Sequence, residues 1–217
     1  MSRRPLTWVS LLALALALLG WFVVDQPLAL FLKQHTTGHA EGFWKVVTDL
    51  GMAELYLVPS GLLVVGLLLA SLRFGPRLRQ MAWAPGFVFL AMAVSGILNS
   101  LIKWGLGRAR PRLLFDEGFY GVVFFSHKWA YNSFPSGHTQ AAFAAMVALT
   151  LVMPRYDVAF LSIALLVACS RVATTVHYFS DAVAGAWLAV TVTVLIHRAL
   201  EKRGIDVRLR LERDKRL

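Results

Sequence analysis

The sequence predicts an all-α membrane protein, a bundle of six transmembrane helices, and two observations carry that prediction. The chain of 217 residues is 58% apolar and only 16% charged, against about half and about a quarter in soluble domains. Its apolar residues also fall into long runs, each able to supply the ~20 residues that a helix needs to cross a bilayer. A net charge of +10 would fit a nucleic-acid binder, but Lys and Arg lie between or at the ends of apolar runs and form no single basic face. Membrane topology therefore accounts for them, and nucleic acid is excluded as a partner. The single cysteine, Cys169, lies inside an apolar run, so no intrachain disulfide can form and the thiol reads as packing.

The elements follow in order. Residues 6–24 form the first span. Arg3 and Arg4 precede it as in a signal peptide, but the apolar run continues past Ala17 through Trp21 and Val24, too far for cleavage. Asp25-Gln26-Pro27 is expected to end that helix. Phe43, Val46, Val47 and Leu50 recur at helical spacing and fit either a short helix in the interface or a loop. Residues 53–72 form the second span, with Glu54 at its start, and 81–104 the third, after a basic turn. On the third, Ser95, Asn99 and Lys103 are spaced four apart and share one face. Polar residues at membrane depth usually face a bundle interior, so this row points inward.

Residues 105–134 form the longest polar connection, with Arg108, Arg110, Arg112, Asp116, Glu117, His127 and Lys128. A loop of this length is more often functional than idle. The fourth span is 135–153, rich in Gly and Ala that let a neighbour approach, followed by a tight turn at 154–157, the fifth span at 158–176 and the sixth at 181–198. Residues 1–200 read as one membrane domain and 201–217 as a basic cytoplasmic tail, drawn to an anionic leaflet or simply solvated. With the N-terminus inside, fourteen of the 22 Lys and Arg fall on the inner side, so both termini are expected in the cytoplasm. Lys103, His138 and His177 then lie together at the outer ends of their helices.

Pro135-Ser136-Gly137-His138 opens the fourth span with a hydroxyl, a bare backbone and an imidazole. A helix starting there offers unpaired N–H groups and the positive end of its dipole to an anion. Pro135 suits a first turn, where its missing N–H has no helical partner. Alone, these residues equally fit a capped helix with an incidental histidine. The rest of the chain decides, because Lys103, Arg110 and Arg171 supply three cations and His177 a second imidazole beside Asp181. Forked guanidinium donors and a compact ammonium can stabilise charge on transferring phosphoryl oxygens, while two histidines can divide nucleophile and acid.

Lys103 followed after six residues by Arg110-Pro111, then Pro135-Ser136-Gly137-His138, then Ser170-Arg171 with His177 and Asp181 beyond, carry all three signature motifs. In these the chain resembles the type 2 phosphatidic acid phosphatase (PAP2) superfamily. The resemblance implies that His177 is the nucleophile, that Asp181 hydrogen-bonds its other ring nitrogen, and that His138 acts as general acid and then base. It implies that Lys103, Arg110, Ser136, Gly137 and Arg171 hold the phosphate; for Ser170 a packing role is as fitting as phosphate contact. A shared face for His177 and Asp181 follows independently if the sixth helix starts at or before His177.

The resemblance implies no cofactor and no metal, and two histidines with one carboxylate among cations make a poor site for a hard cation. It further implies metal-independent hydrolysis of a membrane lipid phosphate at the periplasmic face of a bacterial-type inner membrane. Undecaprenyl diphosphate, phosphatidylglycerophosphate and phosphatidic acid are the first candidates, with the 1-phosphate of lipid A or transfer to another lipid as alternatives. A non-enzymatic lipid transporter is the rival from another class, and it would not need both histidines. His35, His39 and His197 are expected at the interface, and the sequence carries no signal for oligomeric state.

Overall fold

The computed structural model describes residues 4–36 and 38–209. Expectations that fall on Arg3, on the side chains of Arg4 and His39, and on 210–217 lie outside the described residues. The elements in order are α1 (Arg4–Leu19), a π-helical turn (Gly20–Val24), α2 (Asp25–His35), α3 (Gly38–Asp49), α4 (Glu54–Phe74), α5 (Pro76–Met81) and α6 (Trp83–Leu106). Then come α7 (Pro111–Glu117), α8 (Gly137–Val152), α9 (Asp157–Ala173) and α10 (Phe179–Lys202). The fold is all-α; the described residues hold no strand, only an isolated antiparallel bridge between Arg108 and Val122.

Among the described residues, five stretches are long and apolar enough to cross a membrane: 6–35, 42–74, 76–106, 154–173 and 179–202. The span expected fourth, 135–153, is α8, and it falls short. Its 16 residues rise only about 24 Å at ~1.5 Å per residue, less than the ~30 Å of a hydrocarbon core. Its position explains why it can. α8 packs against α6, α9 and α10, and Ala142, Ala144, Ala145 and Ala148 on it are fully buried. A central helix answers to its neighbours, and small side chains let their backbones close in. At Gly185 of α10 a Cβ would lie 2.6 Å from the Ser136 carbonyl oxygen, so only glycine lets α10 pass the mouth of α8. Helix α1, the π turn after it and α4 instead expose Trp8, Leu12, Phe22, Leu62 and Leu69 as a bilayer-facing surface.

Two expectations about boundaries need correction. The first helix does not end at Asp25-Gln26-Pro27. The Asp25 N–H donates to the Gly20 carbonyl in the π register, and the helix runs on to His35. A π turn takes up an extra residue without breaking the helix, and it leaves Pro27 near the start of α2, where proline is tolerated. The basic tail is not all solvated either. Val207 is buried, Ile205 and Leu209 pack on the core cluster, and the Leu209 N–H donates to the Val152 carbonyl at 3.1 Å. Packing therefore continues past the expected domain limit at residue 200.

Both α6 and α9 end where α8 and α10 begin, so Lys103, Ser136, Arg171 and His177 meet at one end of the bundle. The loop from 105 to 134 folds over that end through its own backbone: Ala109 N–H to Gly121 O, Val123 N–H to Gly107 O, Arg110 N–H to Ala130 O and Ser133 N–H to Arg108 O.

Candidate active site

The polar row on α6 faces inward. Ser95 is fully buried and Asn99 nearly so; Ser95 Oγ accepts from Gln140 Nε2 of α8 at 2.7 Å. A Cβ on Gly137 would lie 3.7 Å from Lys103 Cε and 3.8 Å from Asn99 Nδ2. The bare backbone at the start of α8 thus looks onto the lysine. Lys103 Nζ donates to the Asn132 carbonyl at 3.0 Å, and Arg110 Nη2 donates to the same oxygen at 3.1 Å. One carbonyl therefore draws two cations together. Arg110 Nε also donates to the Trp129 carbonyl, and its guanidinium lies 4.0 Å from the Trp129 ring centroid. Burial and the neighbouring Arg171 charge hold Arg110 below its ordinary value, at about 10, so it remains charged at neutral pH.

Pro135 does not occupy the first turn of α8, as the sequence had implied. Ser136 is the N-cap, its side chain accepting from the Thr139 N–H at 3.4 Å and from Thr139 Oγ1 at 2.9 Å. That hydroxyl is fully buried and committed to the helix start, whose first-turn N–H groups at Gly137 and His138 have no helical acceptor and can meet an anion. His138 follows, half-buried.

The third cation is set by an element whose role the sequence did not reveal. Arg171 Nη1 donates to Thr48 Oγ1 of α3 at 2.6 Å, and Ser170 Oγ reaches the same hydroxyl at 3.1 Å and the Val167 carbonyl at 2.7 Å. Ser170 is thereby a structural hydrogen-bonder. Arg171 Nε is buried without a partner among the described residues, a donor left over for an anion.

His177 is 3% exposed and lies in the turn between α9 and α10, where the Val176 and His177 N–H groups fold back on the Arg171 carbonyl. The expected shared helical face with Asp181 is absent, because α10 starts at Phe179 with Tyr178 as its cap. The pair still meets. Asp181 Oδ2 accepts from the Tyr178 N–H at 2.9 Å and from Ser133 Oγ at 2.6 Å, and lies 3.5 Å from His177 Nδ1. Burial first, then the positive charges of Lys103 and Arg110, push His177 down to about 3 against the pull of Asp181. The imidazole is neutral at physiological pH and keeps a free lone pair.

Sequence reasoning missed four partners: Thr48, Ser133, Asp25 and Arg108. Arg108 is 1% exposed, donates to Asp181 Oδ1 at 2.5 Å and to Asp25 Oδ2 at 2.8 Å, and lies 3.8 Å from the Trp21 ring centroid. Burial opposes its charge, but Asp181 and Asp25 more than offset that and raise it. Its only signal in the sequence was its place two residues before Arg110.

The remaining histidines lie elsewhere. His35 stacks on Phe31, His127 accepts from Trp104 Nε1 at 3.2 Å, and His197 pairs with Glu201 Oε2 at 3.5 Å near the other end of α10. Among the described residues no group of three or more His, Cys, Asp and Glu side chains could hold a metal ion.

Residues 84–205, more than half of the chain and all three motifs, match the PAP2 superfamily. The chain belongs to that superfamily. The lipid A 1-phosphatase of Rhizobium johnstonii is 29% identical over 213 residues, covering 89% of this PAP2 chain and 83% of that protein. A lipid A 1-phosphatase of Rhizobium etli is 34% identical over 135 residues, 60% of this chain and 58% of that one. Among solved structures, a PAP2-type phosphatidylglycerolphosphate phosphatase from Bacillus subtilis superposes with a TM-score of 0.66 at 21% identity, covering 91% of this chain and 96% of that one. LpxE from Aquifex aeolicus gives 0.57 at 19% identity, covering 82% and 98%. These two establish the fold, that of a multi-pass membrane PAP2 protein.

Proposed function

We propose that this PAP2 lipid phosphatase removes the 1-phosphate of lipid A through a phosphohistidine on His177. The observation that carries the reaction is the buried, neutral His177, its Nδ1 beside Asp181 and its ring facing the charges of Lys103 and Arg110. Nδ1 faces the carboxylate, so Nε2 is the attacking atom: the P–N bond forms as the bond to the leaving oxygen breaks. His138 gives that oxygen its proton. Water then attacks the phosphohistidine, His138 takes the water's proton, and inorganic phosphate leaves with the P–N bond broken. The three cations and the N-terminus of α8 hold the equatorial oxygens.

The choice of lipid rests on the relatives named lipid A 1-phosphatase, one of which aligns with most of this chain. It displaces undecaprenyl diphosphate, phosphatidylglycerophosphate and phosphatidic acid as the first candidate. We place the site at the periplasmic face and both termini in the cytoplasm, supported by the basic residues gathered at the opposite end, Arg73, Arg155 and Lys202 among them. The purified protein in detergent with EDTA, given each of the four lipids, should release phosphate fastest from lipid A and leave its 4′-phosphate in place. Turnover of another lipid with lipid A untouched would overturn the substrate assignment.

A further inference from the structure

Asp181 has two oxygens, and the fold assigns them to opposite tasks. Oδ2 serves Ser133, the Tyr178 N–H and His177, while Oδ1 belongs to Arg108. Arg108 is held in turn. Nη2 donates to Asp25 Oδ2 at 2.8 Å and to the Tyr120 hydroxyl at 2.7 Å, and Nη1 also reaches Ser180 Oγ at 2.7 Å. Asp25 closes the loop by accepting from the Ser180 N–H at 3.0 Å, and Tyr120 donates to the Trp21 carbonyl at 2.6 Å. Asp25, Arg108 and Asp181 are each no more than 1% exposed. A buried ion pair is weak evidence for stability, since desolvation consumes much of its attraction. What a fork bound to two carboxylates supplies is geometry.

We propose that Arg108 and Asp25 are positioning residues for phosphoryl transfer: Asp25 fixes the Arg108 guanidinium, which pins Asp181 Oδ1 and so keeps Oδ2 on His177 Nδ1. The first membrane helix, which lies outside the matched region 84–205, thereby holds the nucleophile in register across the bundle. This rests on His177 being the nucleophile. Asp25 also explains the π turn, since the extra residue rotates its carboxylate inward toward Ser180 instead of toward lipid.

The test uses the full-length protein in detergent, with Asp25→Asn, Arg108→Lys, Arg108→Met, the double variant Asp25→Asn/Arg108→Met, and His177→Gln. An aryl phosphate reports kcat and KM, orthovanadate inhibition reports the anion cage, and melting temperature reports the fold. Asp25→Asn should lower kcat about ten- to hundredfold, the range for removing a partner that orients a working side chain, with KM and the vanadate constant within about threefold. Arg108→Met should lose more and Arg108→Lys recover part of it. The double variant should be no worse than Arg108→Met, because the two residues act in series. Full kcat in Asp25→Asn and Arg108→Met with His177→Gln inactive would overturn the proposal and leave the nucleophile standing. Turnover by His177→Gln would overturn the nucleophile itself. Activity that falls only in step with the folded fraction, or failure of both Asp25→Asn and Arg108→Lys to fold, would make the pair structural and end the proposal.

Discussion

His177 Nδ1 lies 3.5 Å from Asp181 Oδ2 across the cap of α10, not along its side. The carboxylate is the third residue of the helix and reaches back to the Tyr178 N–H, which puts it beside the residue just before the cap. The aspartate therefore serves the helix start and the histidine at once. Asp181→Asn should keep the cap and the fold but lose the anionic partner of the imidazole. We expect phosphoenzyme formation per folded molecule to slow by on the order of 10²–10⁴, as when the aspartate of a catalytic triad becomes an amide, with a lower melting temperature because the amide turns a donor toward the buried Arg108. Rapid-quench labelling checks it, and an unchanged labelling rate would remove Asp181 from the mechanism.

A neutral His177 has a pH signature. Its folded-state value of about 3 lies below the ordinary 6.5, so between those values the unfolded chain binds a proton that the folded chain refuses. Acidification through that window therefore costs stability. In the native protein the ring should stay neutral at pH 5, where an ordinary histidine is almost fully charged. Carbon-13 spectra of labelled histidine, with His177→Gln to assign the signal, measure it directly. A ring that titrates near 6.5 would contradict the buried, cation-flanked setting.

The helices were legible because long apolar runs leave few alternatives, and the motif residues were legible because their chemistry is distinctive. The errors share one cause. Asp25-Gln26-Pro27 reads locally as a helix end, but Asp25 has a partner 83 residues away in Arg108, and a local pattern carries no trace of such a pairing. Arg108 itself looked like one charge among many in a polar loop. The spacing of His177 and Asp181 implied contact through a helical face; contact came through a cap instead, because Tyr178 starts the helix two residues later than that argument required.

Thr48 tests how far α3 serves the site. Its hydroxyl accepts from Arg171 Nη1 at 2.6 Å and from Ser170 at 3.1 Å, and Thr48→Val removes both bonds at nearly constant volume. A hydrogen bond to a charged group contributes about 1.5–3 kcal/mol. A cage arginine freed to swing should therefore raise KM for an aryl phosphate about tenfold or more, with a smaller change in kcat. Unchanged KM would show that Arg171 is held by the rest of its surroundings.

The proposed topology puts the two ends of the bundle on opposite sides of the membrane, which labelling can test. The loop at Gly118 lies at the end that holds Lys103 and His177, and Lys202 at the other. A small tag inserted at Gly118 should be labelled by impermeant reagents from the periplasm, and a reporter after Leu217 should be active only in the cytoplasm. The reverse pattern would turn the site toward the cytoplasm and change the lipids within its reach.

The two histidines are distinguished by what each must do. His177→Ala should abolish turnover and any acid-labile phosphoenzyme together, since no second imidazole stands beside Asp181 and a phosphoester on the neighbouring Ser133 hydroxyl would be acid-stable. His138→Ala should lose the proton for the leaving oxygen and the base for water, about 10² to 10⁴ in rate on a lipid substrate. The quality of the leaving group separates those two losses. An aryl phosphate leaves without help, so His138→Ala should form the phosphohistidine on it at close to the parent rate and then stall, because water still lacks a base. A short pulse of radiolabelled aryl phosphate should therefore leave acid-labile, base-stable label on His138→Ala and none on His177→Ala. Label on His177→Ala and none on His138→Ala would exchange the two roles, and the attack would then come from the start of α8 instead of the turn before α10.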